Sequence, residues 1–116
     1  MSCMEKYIKN MDHGQILSLT GSVDYLPGQI VSKTLTQNKC HSLTLFAFDK
    51  GEEISAHESD GDAMVIALDG AAKITIGDTE HQLSAGDTII MPAKTPHAVY
   101  AEEPFKMFLV VIFPNR

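Results

Sequence analysis

The amino-acid sequence predicts an all-β domain, a sandwich or a small barrel. Three observations carry that expectation. Segments rich in strand-forming residues recur every eight to twelve residues or so, the interval of antiparallel β folds. Between them stand Pro27-Gly28, Asp69-Gly70, Gly77-Asp78 and Gly86-Asp87. Such pairs turn a chain because proline fixes φ and glycine accepts positive φ. No window sustains the 3.6-residue apolar period of a long amphipathic helix.

Residues 1–14 are polar, show no period and read as an N-terminal arm; residues 15–116 read as one barrel domain. A chain of 116 residues buries a core without covalent staples. Gln15 to Leu19 is a short apolar alternation that predicts a first strand, ended by Thr20-Gly21. Tyr25 to Gly28 turns the chain. Gln29 to Thr36 sets Ile30, Ser32 and Thr34 against Val31, Lys33 and Leu35, the two-residue period of a strand. After the turn Gln37-Asn38-Lys39, His41 to Asp49 brings Leu43, Thr44, Leu45, Phe46 and Phe48. These residues suit a pleated, half-buried surface. Cys40 reads as a small apolar residue of that strand. Ala63 to Leu68 predicts the next strand, with Asp69-Gly70 as a hairpin turn. Lys73 to Ile76, Thr88 to Met91, His97 to Ala101 and Lys106 to Phe113 complete the set. Met64, Met91 and Met107 read as core fillers.

Two strands, Phe105 to Phe113 and Met64 to Leu68, are apolar at nearly every position. A sheet with one wet face alternates instead. Both faces of these strands need cover, and a barrel has one interior. A second copy of the chain is the expected cover, giving a homodimer; the N-terminal arm folding back is the lesser alternative.

The formal net charge is −6 and Lys and Arg nowhere cluster, which argues against a nucleic-acid partner. No run reaches the roughly 18–20 apolar residues of a membrane span. Met1 to Lys9 lacks the apolar stretch of a secretion signal. Cys3 and Cys40 make no disulfide framework, as expected of a protein in a reducing cytoplasm.

The chemistry concentrates in two glycine-bounded segments. One runs from Gly51 through His57 and Ser59 to Gly70; the other runs from Gly86 through Pro92 to His97. Each sets one histidine at the edge of a short strand. Neutral imidazole is the commonest metal ligand and titrates near pH 7. Ser59 lacks the Gly-x-Ser-x-Gly elbow of a serine nucleophile. His13 lies in the polar arm, His81 reads as a solvated edge, and His41 opens a strand.

Residues Thr44 to Phe113 resemble the cupin superfamily, RmlC-like jelly-roll barrels of the double-stranded β-helix type. Gly51, His57 and Gly70 fall in register with the family's first motif, and Gly86, Pro92 and His97 with its second. The likeness is to the short single-domain bacterial cupins of unassigned function. It implies a divalent metal such as zinc, iron, manganese or nickel, held by two histidines and a glutamate of the first motif and the histidine of the second. Here Ser59 stands at the second histidine position, Ala63 at the glutamate, Lys94 at a glycine and Ala101 at an asparagine. His57 and His97 remain. Asp62 adjoins Ala63, but strand neighbours face opposite ways unless the strand bulges or starts later; Asp60 or Glu58 turning inward is the other source of a carboxylate.

The expected function is binding of an anionic or polar small molecule in a pocket centred on His57, Ser59 and His97, with a metal on His57 and His97 as an assistant. One rival is a metal-dependent isomerase or oxygenase, which needs a third inward ligand. Another is a ligand-free dimeric scaffold or sensor module, which predicts a barrel filled by side chains.

Overall fold

The computed structural model describes residues 7–114. The first part of the arm, with Cys3, lies outside the described residues. Nine strands form among the described residues: β1 (Ile30–Gln37), β2 (His41–Phe48), β3 (Glu53–His57), β4 (Asp62–Asp69), β5 (Ala71–Ile76), β6 (Thr79–Ser84), β7 (Thr88–Met91), β8 (His97–Ala101) and β9 (Phe105–Ile112). They make a five-stranded sheet in the order β1-β2-β9-β4-β7 and a four-stranded sheet in the order β3-β8-β5-β6. After β2 the chain passes back and forth between the sheets, which gives the double-stranded β-helix. The inner faces meet in a core that includes Phe48, Val65, Phe105 and Met107 from one sheet and Ile74 and Val99 from the other. Alternation along each strand selects these residues, since every second side chain points inward.

Asp69-Gly70 is not a hairpin turn. β4 pairs with β7 and β9, whereas β5 pairs with β6 and β8, so the dipeptide is the corner where the chain changes sheets. Gly70 has φ +75° there, and a Cβ on it would lie 1.7 Å from the Pro104 carbonyl oxygen. A corner between sheets and a hairpin ask for the same local backbone, so the dipeptide alone does not separate them. Gly77-Asp78 does close a hairpin, with Ile76 opposite Thr79. β6 is polar and carries little strand signal. It forms because it lies at a sheet edge, where burying Leu83 suffices.

Gln15 to Leu19 forms no strand. Ile16 is fully exposed, and Thr20–Ser22 makes one turn of 3-10 helix. The outer edge of β1 is engaged by the arm itself: Lys9 N–H donates to Leu35 O (2.7 Å) and Asn10 Nδ2 to Thr34 O (2.7 Å). Cys40 is not a buried strand residue. It is exposed in the turn before β2, where its N–H donates to Asn38 Oδ1 (2.8 Å). His41 Nε2 accepts from Asn38 Nδ2 (3.2 Å).

The N-terminal segment covers part of the outer face of the larger sheet. Val23 is buried with Leu45 and Ala47, and Leu19, Tyr25 and Phe108 pack on them. Each such side chain taken from water contributes on the order of 1.5–3 kcal/mol. Two lysines clamp the 3-10 turn by its carbonyls: Lys106 Nζ donates to Thr20 O (2.6 Å) and Lys33 Nζ to Ser22 O (2.9 Å). Lys106 is only 8 % exposed, and its ammonium lies 4.9 Å from the centre of the Tyr25 ring. The Tyr25 hydroxyl donates to Asp69 Oδ2 (2.5 Å). Burial, then the Asp69 carboxylate, pushes the Tyr25 pKa up, so the phenol stays protonated. Beyond this cover, Met64 and Ile66 are half-buried on the same outer face, and Ile90 and Ile112 are exposed. Met91 and Met107 are core residues, while Met64 is not.

Candidate functional site

β3 and β8 are antiparallel neighbours, and His57 and His97 stand directly opposite each other. Side chains of such a pair share one face of the sheet. Both rings line the space between the sheets, their centroids 4.4 Å apart and their planes at 70°. The register shifts between Ile54 and His57, so β3 reaches its end at the mouth of the barrel. His57 is exposed there, whereas His97, in the middle of its sheet, is 3 % exposed.

Each ring is oriented by its own strand. His57 Nδ1 donates to Ser55 O (3.0 Å) and His97 Nδ1 to Thr95 O (3.2 Å). A carbonyl oxygen only accepts, so each neutral ring carries its proton on Nδ1. Each Nε2 is left with a lone pair. Burial, then the neighbouring His57, lowers the His97 pKa from its ordinary 6.5. His97 is therefore neutral at pH 7, and its Nε2 is an acceptor.

The rings open on a cavity of ≈ 430 Å³. Phe46, Met107, Leu109 and Val111 wall it from the larger sheet, and Ile54 and Val99 from the smaller one. Glu58, Ser59 and Asp60, in the loop after β3, form the rim. Ser59 lines the cavity as expected of its position, and its Oγ accepts from Gly61 N–H (3.1 Å). Ser59 O accepts from Lys94 N–H (2.7 Å), which ties the two rim loops together. Lys94, at the family's glycine position, has φ 62°, the left-handed region that glycine occupies without strain.

Glu58 and Asp60, expected from the sequence only as carboxylates that could turn in beside the histidines, stand at the rim. Their signal was adjacency to Ser59 in a loop leaving the strand that carries His57. Phe46, Val99, Met107, Leu109 and Val111 were legible as strand residues, but not as the lining of a space.

The donor set does not fit a resident divalent metal. Ala63 offers no carboxylate. Asp62 begins β4 and is exposed, its Oδ1 accepting from Ala93 N–H (2.8 Å), so it does not replace the missing glutamate. Among the described residues no three His, Cys, Asp or Glu side chains gather as a metal site. A tightly held zinc or iron needs three or four protein donors.

Comparison with known proteins agrees with this architecture. The family model of the cupin domain matches residues 44–113. A conserved Streptococcus pyogenes protein of unknown function is 46% identical, with a TM-score of 0.94 over 96% of this chain and 97% of that one. A cupin superfamily protein from Desulfitobacterium hafniense is 30% identical, with a TM-score of 0.88 over 92% and 98%. A cupin conserved barrel domain protein from Leptotrichia buccalis is 38% identical over 83% of this chain and 47% of that one, with a TM-score of 0.81. No curated protein matches. The family match spans more than half of the chain and the double-stranded β-helix agrees with it: this protein belongs to the cupin superfamily.

Proposed function

We propose that this cupin binds a small molecule inside its barrel, in the cavity that His57 and His97 flank. The cavity itself is the supporting observation. At ≈ 430 Å³ it falls within the range of small-molecule sites, and a few polar groups converge on mainly apolar walls. A scaffold role would leave the barrel filled. A metal-dependent isomerase or oxygenase would need the third inward ligand that Ala63 and Asp62 do not supply. Ser59 belongs to the pocket as a rim hydroxyl. Cys40, exposed and free, suits a reducing cytoplasm. The protein acts as a homodimer, with Met64, Ile66, Ile90 and Ile112 facing a second copy, because an isologous contact covers identical apolar patches at once.

Native mass spectrometry of untagged protein against a small-molecule library tests the binding role. Hits are expected to vanish in Ala63→Met, whose longer side chain fills the cavity. Hits that survive Ala63→Met unchanged would place binding elsewhere and end this reading.

A further inference from the structure

Resting on that barrel-pocket reading, we propose that the ligand has an apolar body and a head that donates hydrogen bonds, with a protonated primary amine as the best match. Both Nδ1 atoms are spent on backbone carbonyls, at 3.0 and 3.2 Å. The two rings therefore offer Nε2 lone pairs, which accept and do not donate. Their edge contact, with centroids 4.4 Å apart, lets one small head meet both rings. The rim adds the Glu58 carboxylate, and no Lys or Arg lines the cavity among the described residues. Lys94 joins the rim through its backbone N–H, and its side chain is not part of the lining.

An anionic head would meet acceptor nitrogens and a carboxylate of its own sign. An ammonium carries three N–H donors and no acceptor. Two of them answer the imidazoles, and its charge answers the rim. Charge-assisted hydrogen bonds of this kind are about twice as strong as neutral ones. The head sits at the wet mouth beside exposed His57, where the ammonium keeps part of its hydration, and the body extends toward Met107 and Val99. A neutral hydroxyl head would be accepted, more weakly. A carboxylate head would be rejected.

Benzylamine, benzyl alcohol and benzoate share one ring and differ in the head. Each is titrated into the full-length protein in the presence of EDTA at pH 7.5, followed by calorimetry and by amide NMR shifts. Benzylamine is expected to bind about tenfold or more tighter than benzoate, a gap of about 1.4 kcal/mol. Its shifts should cluster at Ile54, His57, His97 and Met107. Glu58→Gln should weaken benzylamine severalfold, and weaken it more than benzyl alcohol. Benzoate binding in the cavity as tightly as benzylamine would overturn the donor-head assignment while leaving the pocket intact. If none of the three shifts a cavity residue, the pocket reading itself falls, and this inference with it.

Discussion

Lys94 occupies a left-handed backbone, φ 62°, in the loop that closes the rim against Ser59. For a residue with a Cβ that conformation costs roughly 1–2 kcal/mol. Glycine removes the cost but gains freedom in the unfolded chain, which takes back about 0.4–1 kcal/mol. The Lys94 side chain is exposed, so little packing is lost, and the bond from residue 94 N–H to Ser59 O needs no side chain. Lys94→Gly should therefore stabilise the fold by about 0.5–1 kcal/mol, the difference between those terms. For a domain of this size that is a rise of about 2–5 °C in Tm. Lys94→Ala keeps the Cβ and should leave Tm within about 1 °C of the parent. Calorimetry on the three proteins, with the protein concentration held fixed, measures both. A Gly variant that melts lower, or an Ala variant that gains as much as Gly, would show that backbone strain at this loop is not what sets its stability.

Other perturbations address the site and the assembly. Ser59→His with Ala63→Glu restores two donor types beside His57 and His97, and should turn weak or absent zinc binding into a calorimetrically measurable site; no gain means that the cavity lacks metal-cupin geometry. His97 has a pKa below 6.5 in the fold, so the unfolded chain takes up its proton first as pH falls. Its contribution is intact above pH 6.5 and is lost as pH drops through the folded-state value, whereas His97→Gln should flatten that part of the stability curve measured by urea titration. Ile66→Asp puts a charge on the half-buried outer face of β4 and should shift sedimentation toward monomer; an unchanged oligomer would move the interface elsewhere.

The fold was legible because burial on one face leaves a period that survives in the sequence: Gln29 to Thr36 alternates, and β1 (Ile30–Gln37) forms there. The pairing of His57 with His97 was legible only through motif register, because no local rule joins residues forty positions apart. Two readings failed where the decisive neighbour was remote. Gln15 to Leu19 alternates like a strand, but the edge of β1 is engaged by Lys9 and Asn10. Gly70 is fixed by the approach of Pro104, which its own dipeptide does not announce. The second apolar face of β9 was expected to be covered by a second copy, with the N-terminal arm as the lesser alternative. The described chain supplies part of that cover itself through Val23 and Tyr25, because Lys106, the one charge in that strand, anchors the segment that lies over it.

The position of β9 has a consequence for synthesis. It follows the other eight described strands in chain order, yet it lies between β2 and β4 in the middle of the five-stranded sheet. Until residue 112 clears the ribosome, β2 and β4 each present an unpaired edge, and Phe48, Val65 and Phe46 lack the strand that seals them. The barrel therefore closes only once β9 has emerged. The nascent chain passes through a stage in which open β edges coexist with unsealed apolar surface, the condition that favours aggregation and chaperone engagement. Nonsense or frameshift lesions upstream of Phe105 should yield insoluble fragments rather than shortened domains.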